Sequence, residues 1–178
     1  MKLTPTPLAG AFVVDIDVHE DERGFFARTF DPGEFAALGL DTRIAQCSIA
    51  FNRRAGTLRG MHWQAEPHGE VKLVRCTAGA IHDVIVDLRP SSPTRFAWFA
   101  VELSARNHRA LYIPVGFAHG LQALADDTEV SYQISTPFHG PAARGLRFDD
   151  PRLGIAWPLA NPIVNARDRA WPLLGSDA

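Results

Sequence analysis

Apolar residues recur along this chain mostly at a spacing of two, in short runs cut by Gly, Pro and Asp, which is the pattern of half-buried strands. The runs predict strands over residues 11–18, 25–30, 43–51, 57–64, 70–77, 80–88, 95–103, 109–113, 118–124 and 129–136. Many short strands at fairly even spacing indicate an all-β sandwich or barrel. One helix is signalled: Asp31 can cap it, Pro32 suits its first position, Glu34 completes a capping box, and Gly39 ends the run from Phe35 to Leu38. From Asp149 onward the periodicity is lost to Asp150-Pro151, Trp157-Pro158 and Asn161-Pro162. Residues 149–178 are therefore expected to pack on the rest as an irregular tail.

The period of two also assigns faces, and some of the inward positions are polar. Over 57–64 one face carries Leu58, Gly60, His62 and Gln64, the other Arg59, Met61 and Trp63. Over 70–77, Lys72 shares a face with Val74 and Cys76, so an ammonium is aimed along an apolar surface, which is unusual for lysine. Over 129–136, Tyr132 lies between Val130 and Ile134 and needs an internal partner for its hydroxyl. A buried charge costs several kcal/mol unless matched, so such positions generally serve chemistry.

Length and charge narrow the classes. At 178 residues one domain is expected, with roughly 70% of the unfolded surface buried. The formal net charge of -2 argues against a nucleic-acid partner. Cys47 and Cys76 stand in strand-like runs without CxxC spacing and are expected to be buried free thiols rather than a disulfide or zinc site. The start, Met1 to Pro7, carries prolines where a signal peptide needs an apolar helix, and no uncharged stretch reaches membrane-spanning length. A cytoplasmic protein without membrane partners is expected.

A histidine able to act as base, a lysine able to hold an oxyanion and a tyrosine able to return a proton are the apparatus for proton abstraction next to a carbonyl. His62, Lys72 and Tyr132 would supply it, without a cofactor. Arg23 and Arg59, each flanked by glycine and aromatics, suit recognition of an anion such as phosphate. No Gly-rich phosphate loop is present, so side chains would hold that anion. His19, His68, His82, His108 and His139 have no comparable setting. A metal site is the rival reading, since His62 and His119 resemble the histidine-bearing strands of metal-binding cupin barrels. Those barrels generally read His-x-His with a following Glu, whereas here His62-Trp63-Gln64 is followed by Lys72, a cation that repels a divalent metal.

Several ordered segments carry a family resemblance: Asp21 to Phe26, Leu58 to Gln64, Lys72 to Arg75, Asp83 to Arg89, Ser92 to Thr94, Pro114 to Gly120, and Asp149 through Trp157-Pro158. Together they resemble the dTDP-4-dehydrorhamnose 3,5-epimerase family over nearly the whole chain. The resemblance implies a metal-free cupin-type jelly roll, a nucleotide-sugar substrate, and a homodimer in which a strand near the N-terminus crosses to the neighbouring subunit. It implies that His62 removes a proton next to the C4 ketone, that Lys72 steadies the enolate, that Tyr132 supplies a proton from the opposite face, and that Asp168 orients the histidine. Asp83 competes as partner of either His62 or Lys72. The same pattern places Arg23, Arg59, Gln46 and His119 around the diphosphate and sugar, with Phe26 and Phe138 near the base.

The chain departs from that pattern at Gln46-Cys47-Ser48-Ile49-Ala50, where many members read Gln-Asp-Asn-His-Ser, at Arg28, where glutamate is common, and at Phe138, where tyrosine is common. The expected function is 3,5-epimerisation of dTDP-4-dehydro-6-deoxyglucose. Epimerisation at C3 or C5 alone on a related sugar nucleotide, and a non-catalytic cupin that binds one, are the alternatives.

Overall fold

In the computed structural model, which describes residues 1–175, the chain forms two antiparallel sheets and a separate hairpin. β1 (Lys2–Pro5) and β2 (Phe12–Asp15) lead to the hairpin β3 (Val18–Asp21) and β4 (Gly24–Ala27), followed by α1 (Pro32–Ala36). Then come β5 (Gln46–Asn52), β6 (Leu58–Gln64), β7 (Lys72–Ala78), β8 (Ala80–Asp87) and β9 (Trp98–Ser104). β10 (Ala110–Ile113), β11 (Phe117–Ala123), β12 (Thr128–Ile134), β13 (Ala143–Gly145) and α2 (Ala166–Arg169) complete the order. The larger sheet runs β1-β2-β10-β7-β12-β5 and the smaller β13-β6-β11-β8-β9. The chain crosses between them at nearly every step from β5 to β12, the connectivity of the expected jelly roll. Among the described residues no ladder joins the two sheets, so the barrel is open.

The sheets face each other across a core of Val74, Cys76, Ile81, Ile85, Leu103, Leu111, Ile113, Phe117, Leu121 and Val130. Their outer faces are covered as well. Phe35 of α1 packs with Val14, Leu73 and Tyr112 on the larger sheet, while Leu146, Leu153 and Trp157 of the C-terminal region pack with Met61, Val84 and Val86 on the smaller. A strand buried on both faces needs continuous rather than alternating apolar residues, which accounts for Val84-Ile85-Val86.

Some local expectations change. Asp31 caps α1, accepting from the Gly33 and Glu34 amides at 2.9 and 3.3 Å, but Glu34 does not close the box. Its carboxylate accepts instead from the Met1 ammonium at 2.7 Å. The prolines near the N-terminus hide β1, which pairs with β2 as an edge strand, where a missing N–H on the open side is tolerated. Cys76 is buried, and burial pushes its thiol up to about 11. Cys47 is exposed, correcting the expectation of two buried thiols: it lies on β5, the outermost strand of its sheet, where little covers either face.

Candidate active site

The alternation expected along β6 breaks at Gly60, whose φ is +131°. Pairing with β11 shifts there, from His119 opposite His62 to Leu121 opposite Arg59, so three steps on β6 match two on β11. This is a bulge. A Cβ at Gly60 would lie 2.5 Å from Gly120 Cα, an approach that glycine alone permits. As a result Arg59 and His62, assigned to opposite faces by the period of two, line the same cavity of about 420 Å³.

That cavity lies between the inner faces of the sheets. The smaller sheet contributes Arg59, His62, Gln64 and His119, and the larger contributes Gln46, Ser48, Lys72, Tyr132 and Ile134. The register places Ile134 beside Lys72 and Gln46, and Tyr132 beside Val74 and Ser48, so Lys72 and Tyr132 sit on adjacent rows of one face.

His62 Nε2 is 2.7 Å from Asp168 Oδ1, across 106 residues of sequence. The other Asp168 oxygen accepts from the Gly60 amide at 3.2 Å, and the Trp171 indole donates to Oδ1 at 3.3 Å. Burial opposes ionisation of Asp168, but the hydrogen bond and charge of His62, with the Gly60 and Trp171 donors, outweigh it and hold the pKa below the usual carboxylate value. An ionised carboxylate only accepts, so the imidazole carries its proton on Nε2 and keeps the Nδ1 lone pair as its basic site. Asp83 takes a different partner: its Oδ1 is 2.7 Å from His119 Nε2. Of the two carboxylates left open by the sequence, Asp168 therefore pairs with His62 and Asp83 with His119.

Lys72 is buried with its ammonium 3.0 Å from Glu70 Oε1 and 3.4 Å from the His62 carbonyl oxygen. The other Glu70 oxygen accepts from Gln64 Nε2 at 3.0 Å, so the charge is matched inside the cavity. Tyr132 stands edge-on to His119 at 6.1 Å between ring centroids. Burial, reinforced by the charge of Asp83, raises the pKa of its phenol, which keeps it protonated at neutral pH. Arg59 is steadied by Nε donating to Asn52 Oδ1 at 2.8 Å and Nη2 to the Phe51 carbonyl at 3.0 Å, and among the described residues no carboxylate pairs with it. Gln46 Oε1 accepts from the Phe138 amide at 2.8 Å, which places the exposed Phe138 at the cavity wall.

Arg23 and Phe26 do not join this cavity. Both lie on the β3–β4 hairpin, where Phe26 is 73% exposed and Arg23 pairs with Asp21 two residues away. The cavity also has walls that sequence reasoning missed: Glu70, Trp63, Arg144, Arg167 and Trp171. For Glu70 a signal existed, since two residues before Lys72 on a strand means the same face. Arg144, Arg167 and Trp171 belong to segments without periodicity, so no local pattern marks them.

A family model described as dTDP-4-dehydrorhamnose 3,5-epimerase matches residues 5–176. A protein of that name from Methanothermobacter thermautotrophicus is 43% identical over 170 residues, covering 93% of this chain and 90% of its own length. The crystal structure of a dTDP-4-dehydrorhamnose 3,5-epimerase from Bacillus anthracis, with TDP and PPi bound, superposes with a TM-score of 0.94 at 38% identity, covering 97% of this chain and 99% of its own. The 3'-monoepimerase ChmJ from Streptomyces bikiniensis, solved with dTDP-quinovose, gives 0.89 at 34% identity, covering 95% and 86%.

Proposed function

This chain belongs to the dTDP-4-dehydrorhamnose 3,5-epimerase family, and on that premise we propose that it converts dTDP-4-dehydro-6-deoxyglucose to dTDP-4-dehydrorhamnose by inverting C3 and C5. One observation carries the chemistry: a histidine on one sheet, paired with a carboxylate from the C-terminal tail, faces an ammonium and a protonated phenol on the opposing sheet across one cavity. The C4 ketone acidifies the hydrogens on its neighbours. His62 Nδ1 takes one of them, the electron pair moves onto the C4 oxygen, and the Lys72 ammonium stabilises the resulting enolate. Tyr132 then delivers a proton to the same carbon from the other face, which inverts it. Atoms and charge balance once solvent reprotonates the phenolate and relieves the imidazolium. No oxidation state changes, so no redox cofactor is required, and the Lys72 ammonium takes the place a Lewis acid would fill at the C4 oxygen. Gln46, Arg59, His119 and Phe138 would receive the nucleotide diphosphate and base, with the positive charge of the Arg59 guanidinium available to phosphate.

The assembled enzyme is, on this reading, a cytoplasmic homodimer. The hairpin that carries Arg23 and Phe26 exposes Val18 and Phe25 as well, and the edge strand β5 exposes Ile49 and Phe51, so both offer apolar surface for a second subunit. Docking there would bring Arg23 and Phe26 to the neighbour's cavity. Two free cysteines suit a reducing compartment, and among the described residues no helix is long and apolar enough to cross a membrane.

The deciding experiment follows deuterium from heavy water into a defined dTDP-4-keto-6-deoxy sugar. Wash-in at C3 and C5 is expected. Exchange at one carbon would establish the second reading, a mono-epimerase, which the likeness to ChmJ favours. Binding with exchange at neither carbon would leave only a sugar-nucleotide-binding cupin.

A further inference from the structure

We propose that Trp171 is a positioning residue for the proton-abstracting pair, seated by a joint with Gly145 that holds Asp168 against His62. The inference rests on the reading of His62 as the base. Gly145 lies on β13 directly opposite His62 on β6. A Cβ at position 145 would overlap the Trp171 ring at Cε2, Cδ2 and Nε1, so the indole lies flat against the backbone of the strand beside the base. Only glycine leaves that seat open.

From this seat the indole reaches both members of the pair. Its Nε1 donates at 3.3 Å to Asp168 Oδ1, the oxygen that also meets His62 Nε2 at 2.7 Å. Its ring stands edge-on to the imidazole at 6.3 Å between centroids. The Arg167 guanidinium covers the indole at 5.2 Å.

Such a clamp has a physical reason. α2, which carries Asp168, is a single turn of four residues, and a helix that short does not hold its own shape. Its cap, Asn165, fixes the Asp168 amide at 2.7 Å but not the carboxylate. Trp171, just past the end of the turn, reaches back to Asp168 through its indole and rests against Gly145, which anchors the turn to β13. The other charged or titratable groups lining the cavity are Arg144 and Arg167 beside the pair, Arg59 and His119 on the same sheet, and Glu70, Lys72 and Tyr132 across from it.

Trp171→Phe, Trp171→Ala, Gly145→Ala and the Gly145→Ala/Trp171→Ala double variant test the joint by deuterium wash-in and by kcat and KM across pH. Trp171→Phe keeps the packing and removes one donor from Asp168, which leaves the carboxylate more basic and better able to stabilise an imidazolium. Its kcat is expected to fall about threefold to tenfold, and the acid limb of the rate profile to move to higher pH. Trp171→Ala and Gly145→Ala are each expected to lower kcat on the order of a hundredfold, as a misplaced base would, with a smaller change in KM. The double variant should be no slower than the worse single one, because the new methyl then fills the space the ring vacated. A parental acid limb in Trp171→Phe, or multiplicative losses in the double variant, would overturn the proposal while the parent remains active. Should Trp171→Ala fail to fold, the limb of Trp171→Phe decides. An inactive parent overturns the functional reading and this one with it.

Discussion

Two imidazole–carboxylate pairs stand side by side in this protein. His62 and His119 are cross-strand neighbours, and each holds a carboxylate oxygen 2.7 Å from Nε2. Their surroundings differ. The His62 side chain is 41% exposed and its carboxylate comes from the C-terminal tail, whereas the His119 side chain is 6% exposed and Asp83 lies on the adjacent strand of its own sheet. Asp83 keeps one oxygen buried with no protein partner, while both oxygens of Asp168 are used. The same pair of side chains thus leaves an imidazole open to a ligand in one setting and an enclosed, negatively biased support beside Tyr132 in the other. Chemical identity sets what a histidine can do, and access with second partners sets what it does.

The comparison breaks if the two histidines prove interchangeable. His62→Ala is expected to lower kcat by about a thousandfold, the loss of a general base, whereas His119→Ala should act mainly through KM. Equal losses in kcat would end the distinction; steady-state kinetics with a dTDP-4-keto sugar measures it. Lys72→Met should cost on the order of a few hundredfold in kcat, since on the proposed mechanism it removes the charge that stabilises the enolate.

Tyr132→Phe sharpens the picture of opposed faces. It should slow product formation by about a hundredfold while deuterium still enters the substrate with retention, because the base can remove and return a proton on its own face. Nuclear magnetic resonance of recovered substrate shows this. The phenol's pKa is raised, so no basic limb from Tyr132 is expected below about pH 10 in the parent profile.

The smallest effect concerns stability. The Asp168 pKa is depressed in the fold, so its stabilising contribution is complete above the unfolded carboxylate value near 3.9 and is lost as pH falls through the lower folded value. Asp168→Asn is expected to be less stable than the parent by about 1.5 to 3 kcal/mol at neutral pH. The gap should hold down to about pH 5 and close only below about pH 4, as read by urea unfolding at several pH values.

The period of two was enough to turn Lys72 and Tyr132 inward, because β7 and β12 are regular where those residues lie. It misplaced Arg59, because the bulge at Gly60 depends on how closely β11 approaches, which no local pattern records. The family resemblance offered Asp168 as the partner of His62 with Asp83 in competition, and the period of two passed over Trp171 and Arg167 in a tail without periodicity.

By itself the sequence determined the all-β class, the capping of α1 by Asp31, the inward lysine and tyrosine, and the family to which the ordered segments belong. Tertiary structure decided between Asp168 and Asp83 as the partner of His62, gave Asp83 to His119, and set which face Arg59 occupies. The reason is the range of the information. Hydrophobic spacing encodes which way a side chain points relative to its own strand, whereas pairing between distant segments follows from register, bulges and packing, which exist only once the sheets have closed on each other.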